Sequence, residues 1–375
     1  MYLKNLVLNN FKNYELVEIE FSPRINCLAG ANGVGKTNIL DAIHYLSLAK
    51  SFFNGIDSMN IRHGEECFSI QGEMLRGGDA ERIYCSFHRQ KQKALRRNGK
   101  EYRKLSEHVG RYPVVMISPA DSLLITGGSE ERRRFMNRII SQYDAVYLES
   151  VVQYNRAVMQ RNRMLKDFKA AGRCDADLLA VWDAQLATHG SYIHSTRRKL
   201  VDDLKPVFQQ YYSLISSSKE TVRLDYVSHL DGGSFEQLLA ESLKKDLYLE
   251  YTTAGVHKDN LSLEMDGFQV KATGSQGQQK TFLAALKLAK FDYIRRMAGH
   301  RPMLLLDDIF DKFDAGRVEQ IMHIVSGDTF GQIFITDTHC SRLHSILPAN
   351  GAGYRLFGIS ENTVSEINTV NNETK

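Results

Sequence analysis

Gly30-Ala31-Asn32-Gly33-Val34-Gly35-Lys36-Thr37 is the stretch on which the reading of this 375-residue chain turns. Before it, Ile25-Asn26-Cys27-Leu28-Ala29 reads as a strand; after it, Ile39, Leu40, Ile43, Leu46 and Leu48 recur at helical spacing. Strand, glycine-rich loop, helix is the context in which a loop closes around a phosphate. Gly30, Gly33 and Gly35 let backbone N–H groups turn toward a β-phosphate, and a helix starting near Lys36 adds its positive end. Ala31, Asn32 and Val34 complete the loop, and Asn38 follows it. Lys36 is expected to bring a mobile charge to the β/γ oxygens and the Thr37 hydroxyl to ligate Mg²⁺. The other reading, a chance glycine turn ahead of a helix, leaves the full eight-residue pattern unexplained.

Two distant segments fit the same chemistry. Leu304-Leu305-Leu306 reads as a buried parallel strand ending in Asp307-Asp308. Asp307 is placed to hold Mg²⁺ through water, and Asp308 to orient or deprotonate an attacking water. Two adjacent aspartates alone would also suit a helix cap or a solvated turn. Ser275-Gln276-Gly277-Gln278 precedes Phe282, Leu283, Leu286, Ala289 and Phe291, an amphipathic helix pattern. It sets a hydroxyl and a glycine backbone at a helix N-terminus, a second anion site. By itself this could be an ordinary cap; its position ahead of the aspartate pair makes it more specific. A chain with two such sites usually joins them to one ATP only across a dimer.

Bulk composition narrows the class. Hydrophobic residues make up 43% and charged residues 25%, ordinary for a globular chain, and the net charge of +4 is too mild to declare a nucleic-acid partner by itself. Cys27, Cys67, Cys85, Cys174 and Cys340 are scattered without a CxxC pair, so free buried thiols in a reducing cytosol are expected and no structural zinc. The N-terminus lacks a signal-peptide layout, and no run approaches the ~18 apolar residues needed to span a bilayer. A cytoplasmic protein without a membrane partner is expected.

Along the chain, residues 1–30 and 67–104 alternate like strands, with Asn98-Gly99 as a hairpin turn. Val114-Val115-Met116-Ile117 is a short buried strand stopped by Ser118-Pro119. From Ser129 to about Leu214 the spacing turns helical, with Pro206 the one proline. Ser216-Ser217-Ser218-Lys219 breaks the helices, Val222–Val227 is strand-like, and residues 260–367 return to an α/β pattern. Arg89, Lys91, Lys93, Arg96, Arg97, Lys100, Arg103 and Lys104 face a single acid, Glu101. Arg132, Arg133, Arg134 and Arg138, then Arg156, Arg161, Arg163 and Lys166, form further basic groups. They suit DNA phosphates or a solvated face, and some suit acids inside the fold. No sequence-reading motif accompanies them, so DNA would be read by backbone and shape.

In this order the three segments resemble the SMC-like branch of the ABC ATPases. Asp307-Asp308 followed by Ile309-Phe310-Asp311-Lys312-Phe313-Asp314 narrows the resemblance to the RecF family of bacterial recombination repair. So do Asn10-Phe11-Lys12-Asn13-Tyr14, Ser275 to Lys280, Gly127-Gly128 leading into Arg132-Arg133-Arg134-Phe135, Tyr154-Asn155-Arg156 through Gln160-Arg161-Asn162, and Gly255-Val256-His257-Lys258-Asp259. The resemblance runs over nearly the whole chain. It implies an α/β fold: an ABC-type ATPase head, a P-loop NTPase with mixed sheet layers, carrying an inserted helical lobe. The head is expected at 1–118 and 221–375 and the lobe at 119–220.

The same resemblance implies roles. Lys36, Asp307 and Asp308 would be catalytic, with Thr37 and Asp307 on Mg²⁺. Ser275 and Gly277, with Gln276 and Gln278 beside them, would meet the γ-phosphate of ATP held by a second copy. Asp311 to Asp314 would be the D-loop of that homodimer, Asp314 near the nucleotide, and Lys12 and Asn13 would lie near it too. RecO and RecR would be partners in placing RecA on gapped DNA and in the SOS response, with slow, DNA-stimulated hydrolysis. The γ-phosphate switch stays open among Asp337, Thr338 and His339, and no Q-loop glutamine is identifiable near Ser118-Pro119-Ala120-Asp121.

Three other classes fit less well. A transporter ATPase subunit would not carry about 235 residues between Thr37 and Gly274. A structural DNA tether needs sustained heptads and a hinge or zinc hook, which are missing here. A nuclease fusion would have only Asp175-Ala176-Asp177 for a metal, and that segment reads as a loop or helix start.

Overall fold

The computed structural model describes residues 1–216, 220–309, 314–339 and 354–367. Strands β1 (Tyr2–Phe11), β2 (Tyr14–Glu20) and β3 (Ile25–Ala29) lead into helix α1 (Lys36–Leu48). Then come β4 (Cys67–Arg76), β5 (Asp79–His88), β6 (Ala94–Arg97), β7 (Lys100–Glu101) and β8 (Val114–Ile117). Helices follow: α2 (Leu123–Thr126), α3 (Ser129–Ile140), α4 (Ala145–Ala171) and α5 (Ala176–Ser216). The chain continues through β9 (Val222–Val227), α6 (Phe235–Leu249), β10 (Asn260–Met265), β11 (Phe268–Gln269), α7 (Val270–Thr273) and α8 (Gln276–Ala298). It returns through β12 (Met303–Leu306), α9 (Ala315–Ser326), β13 (Ile333–Asp337), β14 (Tyr354–Ser360) and β15 (Thr363–Glu366).

The chain packs as two compact units, Met1–Asp121 with Leu214–Ser217 and Lys280–Lys375, and Ser122–Ser213 with Ser218–Gln279. The first holds two six-stranded sheets. One is antiparallel, in the order β2-β1-β4-β5-β6-β7. Its last hairpin turns at Asn98 (φ 50°) and Gly99 (φ 80°), the left-handed pair that a two-residue loop between Arg97 and Lys100 requires. The other sheet runs β15-β14-β3-β13-β12-β8, with every pair parallel except β14–β15. The strands β3, β8, β12 and β13 are buried along their whole length; β8 and β12 read as unbroken apolar runs, whereas β3 carries the buried Asn26 and β13 ends in the buried Thr336 and Asp337.

Helix α1 packs into the core that both sheets share, with Ile39, Leu40, Ala42, Ile43, Tyr45 and Leu46 all fully buried. It is apolar on more than one face because the core surrounds it. The polar members of α1 that go inside find partners. Buried Asp41 accepts from Lys12 Nζ (2.6 Å), Ser51 Oγ (2.7 Å) and the Phe52 N–H (2.6 Å).

The second unit contains the helices α2 to α7 and the three-stranded sheet β11-β10-β9. The strands of 222–265 therefore pack with the helices, whereas the sequence reading set everything from 221 onward in the head. The reason is local. Arg132 Nε on α3 donates to Asn260 Oδ1 at 2.7 Å, and Arg197 on α5 pairs with Asp259 at 2.8 Å. Asp175, read in sequence as a loop or helix start, accepts from the N–H groups of Asp177 and Leu178 at the head of α5.

Candidate nucleotide site

The site is assembled at the C-terminal ends of β3, β8, β12 and β13. Strand β13 lies between β3 and β12, and β8 flanks β12 on the other side. Register then fixes the neighbours. Leu306 pairs with Ile335 and with Ile117, so the next residue on each strand, Asp307, Thr336 and Ser118, meets at one level. Thr37 reaches the same point from the first turn of α1.

Asp307 is the centre of this cluster and is only 3% exposed. Its Oδ1 accepts from Thr37 Oγ1 at 2.9 Å and Thr336 Oγ1 at 3.1 Å, and its Oδ2 from Ser118 Oγ at 3.3 Å. Burial raises its pKa above the ordinary carboxylate value, the charge of Asp308 adds to that, and the three hydroxyls oppose it. Asp308 follows in a left-handed conformation (φ 46°), with its N–H donating to Thr336 Oγ1 at 2.9 Å. Its Oδ1 is buried and meets no hydrogen-bond partner among the described residues. Thr336 thus touches both carboxylate residues. Sequence reasoning missed Thr336 and Ser118; the one visible signal was the threonine that follows the apolar Ile333-Phe334-Ile335 of β13 and precedes Asp337.

The phosphate loop joins β3 to α1 with the geometry its glycines demand. Gly35 caps α1 at φ 111°, and a Cβ there would sit 2.4 Å from Asn13 Nδ2 and 2.7 Å from the Tyr14 hydroxyl. A Cβ on Gly30 would meet the backbone oxygen of Ile359 on β14 at 2.4 Å. Lys36 Nζ donates to the carbonyls of Gly30 (2.7 Å) and Ala31 (2.9 Å), so the ammonium lies along the loop that a phosphate would enter. Asn13 braces the loop, donating to Val34 O at 3.2 Å and accepting from Asn38 Nδ2 at 2.6 Å. Lys12, by contrast, directs its ammonium to Asp41.

These donors suit a hard divalent cation. Thr37 and Asp307 offer adjacent oxygens, and Asp307 is a buried carboxylate facing hydroxyls rather than an ammonium or guanidinium. No cluster of three or more His, Cys, Asp or Glu forms a metal cage among the described residues. One carboxylate and one hydroxyl, with water and phosphate completing the shell, is how Mg²⁺ is commonly held.

The remaining candidates sit as follows. Ser275 caps α8, accepting from the Gln278 N–H at 3.2 Å while its own N–H donates to Gln278 Oε1 at 2.8 Å. Gln276 and Gly277 open the same helix, and Gln278 Nε2 also donates to Glu220 at 2.6 Å. At the switch, Asp337 Oδ1 accepts from the His339 N–H (2.6 Å) and from Thr338 Oγ1 (3.4 Å), while the Asp337 carbonyl accepts from the Gly30 N–H (3.2 Å). Asp314 caps α9 through the Arg317 N–H at 3.0 Å; residues 311–313 of the expected D-loop lie outside the described residues.

The basic groups divide. Lys93 pairs with Asp57 at 2.7 Å, Arg97 with Glu81 at 3.1 Å and Arg96 with Glu101 at 3.3 Å, while Lys91, Lys100 and Arg103 are exposed. Arg134 is taken up by Glu130 and Glu131, and Arg161 is fully buried against Asp183 and Asp246. Arg156, Arg163 and Lys166 are exposed on α4.

Comparison with known proteins bears on this arrangement. The family model described as RecF/RecN/SMC N terminal domain matches residues 2–346. A protein named DNA replication and repair protein RecF from Bacteroides fragilis (strain YCH46) is 47% identical over 369 residues, covering 98% of this chain and 99% of that one. The protein of the same name from Phocaeicola vulgatus is 48% identical over 368 residues, covering 98% of each. A solved structure described as the recombination mediator protein RecF-ATP in the RecFOR pathway is 28% identical, with a TM-score of 0.87 over 98% of both chains. An Smc head domain from Pyrococcus furiosus, 17% identical with a TM-score of 0.57 over 98% of this chain and 96% of that one, shares the fold. With the phosphate loop, the paired aspartates and the capped α8 on one ABC-type scaffold, the chain belongs to the RecF family of the RecF/RecN/SMC group.

Proposed function

We propose that this chain is an ATP-driven switch that binds DNA in replication and recombinational repair. ATP and Mg²⁺ close two copies into a homodimer, the closed pair holds DNA at single-strand gaps or junctions, and slow, DNA-stimulated hydrolysis lets it go. The observation that carries the reading is the meeting of Thr37, Ser118, Asp307 and Thr336 beside the phosphate loop. Relatives named for DNA replication and repair supply the DNA context. By that kinship the chain acts in the cytoplasm with RecO and RecR to load RecA and to support the SOS response. No helix among the described residues is long and apolar enough to cross a membrane.

The residues divide the work. Lys36 leaves the Gly30 and Ala31 carbonyls and turns onto the β/γ-phosphate oxygens. Thr37 and Asp307 would hold Mg²⁺, which supplies charge to the phosphate oxygens. Asp308 orients the attacking water with its unpartnered Oδ1. Ser275 and Gly277 meet the γ-phosphate of the second copy's nucleotide, and the switch is Asp337, Thr338 or His339. The decisive experiment is size-exclusion chromatography and DNA binding with Mg²⁺ and a non-hydrolysable ATP analogue. Expected are a shift to a dimer and nucleotide-dependent DNA binding; a monomer that ignores DNA with nucleotide bound would refute the reading. Lys36→Arg should weaken ATP binding and abolish turnover, because guanidinium geometry cannot follow the phosphate as an ammonium does.

A further inference from the structure

A pocket of about 100 Å³ lies within the second unit, lined by Ile125, Gly127, Arg132, Leu261, Leu263, Gln269 and Lys271. That volume exceeds what one water occupies and suits a small oxyanion. Ile125, Leu261 and Leu263 supply apolar contacts, the rest of the lining is polar, and the two charged side chains in it, Arg132 and Lys271, are both positive. The Arg132 guanidinium is half-buried, and among the described residues its hydrogen bonds go to neutral oxygens: Asn260 Oδ1 (2.7 Å), Leu124 O (3.3 Å) and Gly127 O (3.1 Å). Burial accordingly lowers its pKa with no carboxylate opposing. Lys271 is exposed at the pocket and forms no ion pair among the described residues. The nearby acids are engaged elsewhere. Glu130 and Glu131 are held by Arg134, and Glu264, bonded to the lining residue Gln269, does not itself line the pocket.

A partly desolvated guanidinium without a counter-anion is costly, and a second cation beside it raises the cost. An oxyanion seated between them would offset it and accept the guanidinium edge that the carbonyls leave over. We propose that this pocket is an oxyanion site that takes a phosphate of the nucleic-acid backbone, making α3 and α7 a fixed contact on bound DNA. The proposal rests on the DNA-binding reading above.

The test uses the full-length protein with Mg²⁺ and a non-hydrolysable ATP analogue, and a labelled gapped duplex read by fluorescence anisotropy over a salt series. Lys271→Gln, an exposed change, should weaken binding several-fold. It should also flatten the plot of log affinity against log salt by about 0.9, the signature of one lost phosphate contact. Lys271→Arg should restore both. Arg132→Lys keeps the charge without the fork and should weaken binding with little change of slope. If wild-type protein binds DNA and Lys271→Gln changes neither affinity nor slope, the pocket assignment fails while the DNA-binding reading stands. If wild-type protein does not bind DNA, both fall. Free phosphate is the same chemistry from another source. If inorganic phosphate raises the melting temperature of the wild type but not of Lys271→Gln, while their DNA plots coincide, the backbone assignment is overturned.

Discussion

Asp307 is a carboxylate with 3% exposure whose oxygens meet Thr37, Ser118 and Thr336 hydroxyls. Burial raises its pKa, so the folded protein takes the proton more readily than the unfolded chain does. As pH rises from the ordinary carboxylate value through the raised one, the unfolded chain ionises first and stability falls. Above that range the buried carboxylate therefore costs the metal-free fold stability that the protonated or neutral form would keep. Asp307→Asn keeps the shape without the charge. It should melt at a higher temperature than wild type without Mg²⁺, while losing ATP turnover; a lower melting temperature would show that the carboxylate is not strained. Thr336 makes a separable prediction because one hydroxyl serves two residues, donating to Asp307 and accepting from the Asp308 N–H. Thr336→Val leaves that N–H unsatisfied at about 1–3 kcal/mol and frees Asp308. Turnover should fall about tenfold or more, with ATP binding by the monomer little changed, and Thr336→Ser should recover most of it. Equal rates for Val and wild type would remove Thr336 from the mechanism.

Elements differ in how far their chemistry can be read from sequence. The loop from Gly30 to Thr37 is contiguous, so its glycines, lysine and threonine announce one another. Ser118 and Thr336 are single hydroxyls 218 positions apart that meet only because β8 and β13 flank β12 in register. Nothing local marks Ser118, and Thr336 shows only as a threonine closing the apolar start of β13. The same holds for Gly255-Val256-His257-Lys258-Asp259, legible as a motif but not as a contact. Its His257 ring lies between the Tyr154 hydroxyl on α4, at 2.9 Å from Nδ1, and the Thr252 carbonyl, at 2.9 Å from Nε2. A carbonyl only accepts, so Nε2 carries the proton and Nδ1 accepts from tyrosine. Burial pushes this histidine down from 6.5 to about 4. The neutral ring is therefore the folded form, and its contribution is full above pH 6.5 and lost as pH falls toward 4. Acid should destabilise wild type across that window more than His257→Gln, which keeps hydrogen bonding but does not titrate; parallel urea midpoints against pH for the two proteins would refute this.

At the scale of the whole molecule, the open question is whether α8 starts with a cap or with a ligand for a second copy's nucleotide. The structure gives Ser275 the first role in the single chain, through its reciprocal bonds with Gln278. The two roles are compatible, because an N-cap serine stands where helix N–H groups meet an anion. They are also separable by charge. Aspartate caps a helix as well as serine does, whereas alanine forfeits about 1 kcal/mol. Ser275→Asp should thus melt like wild type and bind ATP like wild type, yet fail to dimerise with Mg²⁺ and the ATP analogue, because its carboxylate would face the incoming γ-phosphate. Ser275→Ala should lose some stability but keep measurable dimer, and Ser275→Arg should block closure by bulk. If Ser275→Asp dimerises as wild type does, the residue is a cap alone, and the surface that joins two copies must be sought away from the start of α8.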